Sequence, residues 1–186
     1  PGAEATTRLS QRRETFHHTD PATGALPLWR KALYGLPQLS MMSATLLITV
    51  HGTIFFMSIG ARVAFIGFFT ALARSFDVIT DPLMAYISDN TKTRHGRRRP
   101  FMFVGCWGYA LFYVLLFSPP VALGELGIAV WFGAFYLIFY LFDTLTNVPY
   151  GALGPELSCD STERSSLFFF VGFFKGVGVL VAATAP

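Results

Sequence analysis

Charge is what this 186-residue chain has least of: Lys, Arg, Asp and Glu make up 13% of it, against roughly 25% in a soluble domain. Hydrophobic residues reach 53% and aromatic residues 16%, too apolar a composition to coat a soluble fold, so the chain reads as a membrane protein. Cysteine is nearly missing. Cys106 falls in an apolar run and Cys159 in a polar loop, which excludes a disulfide framework and leaves reduced thiols as the default. There is no zinc-type cysteine spacing, no nucleophile beside a base and no phosphate-binding glycine loop, so neither an enzyme nor a cofactor is indicated. The net charge of +3 is modest, and the basic residues border apolar segments without an interleaved polar surface. They read as topology signals rather than as a nucleic-acid site.

What the chain does have is five apolar runs of about 20 residues, each long enough to cross a bilayer core of roughly 30 Å. They fall at residues 36–57, 63–88, 101–117, 123–148 and 167–184. The expected fold class is therefore an all-α membrane protein, with a polar basic tail over residues 1–31 and transmembrane helices over residues 32–186. The tail has no signal-peptide core, and its His17 and His18 lack a further ligand for a metal. The chain opens on Pro1 and stops at Pro186 inside an apolar run, so it is expected to be a fragment of a longer protein.

Of the 14 Lys and Arg, Arg8, Arg12, Arg13, Arg30 and Lys31 precede the first span. Lys92, Arg94, Arg97, Arg98 and Arg99 lie between the second and third, and Arg164 lies between the fourth and fifth. The positive-inside rule then puts the amino terminus and these loops in the cytoplasm, with only Arg62 opposed.

The second span carries charge where hydrocarbon is expected. Asp77 and Asp81 are four residues apart and Arg74 is one turn earlier, so all three share a helix face. A charge at membrane depth costs roughly 3 kcal/mol on insertion scales, so such residues face a bundle interior or a water-filled cavity and mark an ion path. A self-neutralising Arg74–Asp77 pair is the blander alternative, and it leaves Asp81 unexplained.

Two segments carry a family resemblance. DPLMAYISDNTKTRHGRRRP, from Asp81 to Pro100, resembles the turn between helices two and three of the major facilitator superfamily. The variant is that of the glycoside-pentoside-hexuronide:cation, or melibiose permease-like, symporters. NVPYGALGPELSCDSTERSSL, from Asn147 to Leu167, is similar to the segment after helix four of those symporters. The joint occurrence at the right spacing is more specific than either match alone. Animal lysolipid symporters share the same half-fold.

The resemblance implies five of the six helices of an amino-terminal bundle, with alternating access by rocking against a second bundle. It implies that Asp77 and Asp81 hold a coupling cation, Na+ or H+, with Arg74 as their charge partner. It also implies that Asp89 latches a cytoplasmic gate through Arg97, Arg98 or Arg99. On helix four, Asp143, Thr144, Thr146 and Asn147 form a polar cluster in which Thr144 and Asn147 could complete the cation site. The sequence departs from the sugar carriers at Asn147, at Met41 or Met42, and at Gly172, where those carriers have charged residues.

For the substrate, Asp143 is expected to pair with Lys175 across helices four and five, and Gln38, Thr45 and Thr49 to line the cavity from one face of helix one. Lys175 could instead snorkel to an interface. His51 could relay protons or simply pack. The expected function is cation-coupled symport of a small organic solute, a sugar or glycoside, with a lysolipid or other amphiphile as the alternative. A third possibility is a non-transporting half-carrier that serves as a structural subunit. Expected partners are the solute, the coupling cation and membrane lipids, with no nucleic acid.

Overall fold

The computed structural model describes residues 26–91, 96–120, 123–157 and 161–184, and every regular element among them is helical. In an apolar solvent no water pairs the backbone N–H and C=O groups, so a long apolar segment must satisfy them within itself. The first span is one rod made of α1 (Leu28–Leu46), a π-helical stretch (Leu47–Gly52) and α2 (Thr53–Ser58). The second to fifth spans are α3 (Val63–Asn90), α4 (Arg99–Leu116), α5 (Glu125–Leu157) and α6 (Ser161–Ala183). All five are long and apolar enough to cross a membrane. Their ends have local causes. Gly60 turns at φ +103° ahead of α3, and Gly96 at φ +98° ahead of α4. Pro100 then sits in the first turn of α4, where its missing N–H is not needed.

The first span packs along α6, and α5 packs along both α3 and α4. Exchanging the first span with the fourth, and the second with the fifth, turns the first–fifth contact into the fourth–second contact. The ion pairs obey the same exchange. Lys31, at the start of the first span, meets Glu163 at the start of the fifth at 2.8 Å. Glu125, at the start of the fourth, meets Arg62 at the start of the second. The two pairs occupy opposite ends of the bundle, because the first and fifth spans start where the second and fourth end.

Ile48 and Phe56 of the first span, Leu116 of α4, and Phe132, Tyr136 and Phe139 of α5 fill the core. On α4, Gly105 and Gly108 let α5 approach, since a Cβ at either would collide with Thr146 or Phe142. On α6, the Gly178 carbonyl accepts a 2.9 Å hydrogen bond from Ser43 of α1.

Two boundary regions depart from the sequence reading. The first span begins at Leu28 rather than at residue 36, so residues 28–31 belong to the helix and not to the tail. The reason is Lys31, which is only 5% exposed because Glu163 and the Ser166 hydroxyl, 3.2 Å away, receive its ammonium. The fourth span continues past Val148 through Pro149 and Pro155 to Leu157, and the fifth starts at Ser161, so most of the expected polar loop is helix. Interior proline costs a helix about 3 kcal/mol, and tertiary packing offsets it: Pro149 is fully buried and Tyr150 is locked to Tyr34. The Tyr34 hydroxyl donates to the Tyr150 carbonyl at 3.0 Å, the Tyr150 hydroxyl donates to the Tyr34 carbonyl, and the rings stack at 4.7 Å. The expected metal-free histidine pair in the tail, and Lys92, Arg94 and Cys159, lie outside the described residues.

Candidate ion-binding site

α3 and α5 face each other with opposed polar side chains. Arg74, Asp77 and Asp81 recur along one face of α3; Tyr140, Asp143, Thr144 and Asn147 recur along one face of α5. Across the gap the Thr144 hydroxyl donates to Asp81 Oδ1 at 3.1 Å, and the Arg74 guanidinium carbon stands 4.7 Å from the centroid of the Tyr140 ring. Within α3, Arg74 lies 3.6 Å from Asp77. Within α5, Asn147 Nδ2 donates to Asp143 Oδ1 at 2.9 Å, which leaves the amide oxygen as the atom with lone pairs for a ligand.

Asp77 and Asp81 lie one turn apart on α3, Thr144 ties Asp81 to the helix that carries Asp143, and Arg74 forms an ion pair with Asp77 at 3.6 Å. Three carboxylates against one guanidinium leave an excess of negative charge when all are ionised. An excess of this kind is costly in hydrocarbon. Among the described residues no three His, Cys, Asp or Glu side chains are gathered closely enough to hold a metal ion by themselves, Asp77, Asp81 and Asp143 included. The donors on offer are carboxylate, hydroxyl and amide oxygens, a set suited to a hard cation. A cavity of about 300 Å³ adjoins Asp77 between α3 and α5, walled by Phe76, Leu137, Ile138 and Leu141.

The residues expected to bind substrate are not gathered in the same way. Lys175 is exposed on α6, and Asp143 is met by Asn147 instead, so the expected Asp143–Lys175 pair does not form. The cause is topological: α6 lies along the first span and touches α5 only lightly. Gln38 is buried in α1. Thr45 and Thr49 donate their hydroxyls to the carbonyls of Met41 and Thr45 at 2.9 and 2.8 Å, the usual way to satisfy a hydroxyl in an apolar helix. His51 sits in the π-helical stretch with its Nδ1 buried.

In the basic turn, Arg98 reaches Asp89 at 2.7 Å and is buried, Arg97 stands 3.8 Å from the same carboxylate, and Arg99 opens α4 as an exposed residue. The sequence reading missed Lys31 with Glu163, Tyr34 with Tyr150, and Tyr140. Tyr140 had a signal: it lies one turn before Asp143 and Thr144 on the same face.

The model of the family described as MFS/sugar transport protein matches residues 33–186. An uncharacterised symporter of Synechocystis sp. is 35% identical over 154 residues, covering 75% of this chain and 28% of that protein. A putative glycoside/cation symporter of Escherichia coli K12 is 32% identical over 121 residues, covering 65% of this chain and 26% of its own. A sodium-dependent lysophosphatidylcholine symporter of Danio rerio is 34% identical over 97 residues, covering 51% of this chain and 18% of its own. The chain thus spans little more than a quarter of the length of these curated relatives, or less.

Proposed function

The chain belongs to the MFS/sugar transport protein family, in the glycoside-pentoside-hexuronide:cation symporter group, and on that premise we propose that it supplies the cation site of a multi-pass symporter. The observation that carries this reading is the Thr144 hydroxyl of α5 donating to Asp81 of α3, with Asp77 one turn before Asp81 and the Asn147–Asp143 hydrogen bond alongside Thr144 on α5. A cation entering there would neutralise charge that the bundle cannot neutralise alone, so its binding and the closure of α3 on α5 reinforce each other. The transported solute is a small organic molecule, a sugar or glycoside, carried by alternating access. The amino terminus and the Arg97–Arg99 turn face the cytoplasm.

A lysolipid or another amphiphile is a second reading, favoured by the apolar walls of the cavity beside Asp77. A sodium-dependent lysophosphatidylcholine symporter among the relatives supports the same alternative.

The test is uptake by the purified full-length protein in vesicles, comparing a labelled disaccharide with a labelled lysolipid under sodium and proton gradients. Asp77→Asn and Asp81→Asn should each abolish cation-driven accumulation. Full accumulation by both variants sinks the site assignment, and absence of uptake of any solute favours a structural subunit.

A further inference from the structure

Arg74 is held unlike the tightly paired basic side chains of this bundle. Lys31 and Arg98 approach their carboxylates to 2.8 and 2.7 Å and are buried in doing so. Arg74 stands 3.6 Å from Asp77 with its side chain 57% exposed, beyond the roughly 2.7–2.9 Å of a charge-assisted hydrogen bond. Alongside this loose ion pair it has a second contact across the gap, on the face of the Tyr140 ring at 4.7 Å. That ring has little room to yield. It is 4% exposed and packs against Tyr136 and Phe139 with centroids 4.7 and 5.7 Å away. A positive charge over an aromatic face is attracted without occupying a carboxylate. The guanidinium is therefore near enough to Asp77 to lower the cost of the acidic group, and far enough to leave the Asp77 oxygens open to another ligand.

We propose that Tyr140 is a positioning residue of the cation site: its ring holds the Arg74 guanidinium in a loose 3.6 Å ion pair with Asp77, short of hydrogen-bond contact, and so sets the affinity for the coupling cation. The proposal rests on the reading of Asp77 and Asp81 as that site. Without the ring, the guanidinium closes onto Asp77 and competes with the incoming cation. Arg74 thereby becomes an internal stand-in for the cation, and Tyr140 decides how strongly it competes.

The experiment is a sodium titration of the purified full-length protein, read as stabilisation against heat at fixed pH, with a proton titration in sodium-free buffer alongside. Tyr140→Met removes the ring at similar bulk and should weaken apparent cation affinity about tenfold, the scale of a cation–π contact partly removed from water. Tyr140→Phe keeps the ring and should restore affinity to within about twofold of wild type. In an Arg74→Gln background the same Tyr140→Met change should alter affinity less than about twofold, because the competitor is gone. Tyr140→Leu serves as a second ringless variant if methionine does not fold. Independently of both, Arg74→Gln alone must bind the cation at least as tightly as wild type. Equal losses in the two backgrounds, no loss in either, or weaker binding by Arg74→Gln would overturn the proposal. A wild-type protein stabilised by neither sodium nor protons overturns this proposal together with the cation-site reading, whereas cation binding that ignores Tyr140 overturns this proposal alone.

Discussion

Lys31 meets Glu163 at 2.8 Å with its side chain only 6% exposed, whereas the matching pair at the other end of the bundle, Arg62 with Glu125, has an arginine side chain 69% exposed. The two pairs occupy equivalent places under the exchange of spans, yet their surroundings differ. A solvent-exposed pair is worth little, while removing one partner of a buried pair strands the other in a poor solvent. Lys31→Ala should therefore lower the unfolding temperature of the full-length protein clearly more than Arg62→Ala. The reversed pair Lys31→Glu with Glu163→Lys should recover part of the loss. Thermal unfolding in detergent checks this, and equal effects of the two alanine variants would contradict it.

Asn147 holds Asp143, and Lys175 does not. Asn147→Ala removes a hydrogen bond to a charged group, worth about 1.5–3 kcal/mol, so apparent cation affinity should fall roughly 10–100-fold. Lys175→Ala should change it less than about twofold, since the lysine is exposed and makes no pair with Asp143. Cation-stimulated uptake in vesicles measures both. A large loss in the lysine variant with none in the asparagine variant would restore the Asp143–Lys175 centre.

Orientation can be read by chemistry. In a background with Cys106 and Cys159 replaced by serine, Ser161→Cys should react with an impermeant thiol reagent from the cytoplasmic side, and Pro120→Cys from the opposite side. Both positions are exposed and close to span ends. The reversed pattern would overturn the placement of the amino terminus.

Gly108 carries the α4–α5 contact because the Phe142 ring occupies the space a Cβ would need. Gly108→Leu should destabilise the bundle by about 1–3 kcal/mol through overpacking. Gly67→Ala, at a site with nothing within 4 Å, should be close to neutral. Unfolding midpoints of the two variants settle the comparison, and a neutral Gly108→Leu would mean that the two helices are not in contact.

The class, the number of spans and the acidic face of α3 were legible in the residues alone, because each rests on short-range chemistry. Hydrocarbon demands about 20 apolar residues per crossing, and a 3.6-residue repeat places Arg74, Asp77 and Asp81 on one face whatever surrounds them. The residues also indicated that Asp89 would find an arginine, since Arg98 lies nine positions further on, across a glycine turn. Which helices are neighbours depends on packing between distant parts of the chain, and that arrangement settled the remaining contacts. It joined Thr144 to Asp81, put Arg74 on Tyr140 and kept Lys175 away from Asp143, because α5 lies along α3 while α6 lies along the first span. It likewise kept the fourth helix intact through Pro149 and drew Lys31 into the first. In both places a partner from a distant part of the chain, Tyr34 for Tyr150 and Glu163 for Lys31, offset a local cost that the sequence alone can only count against the helix.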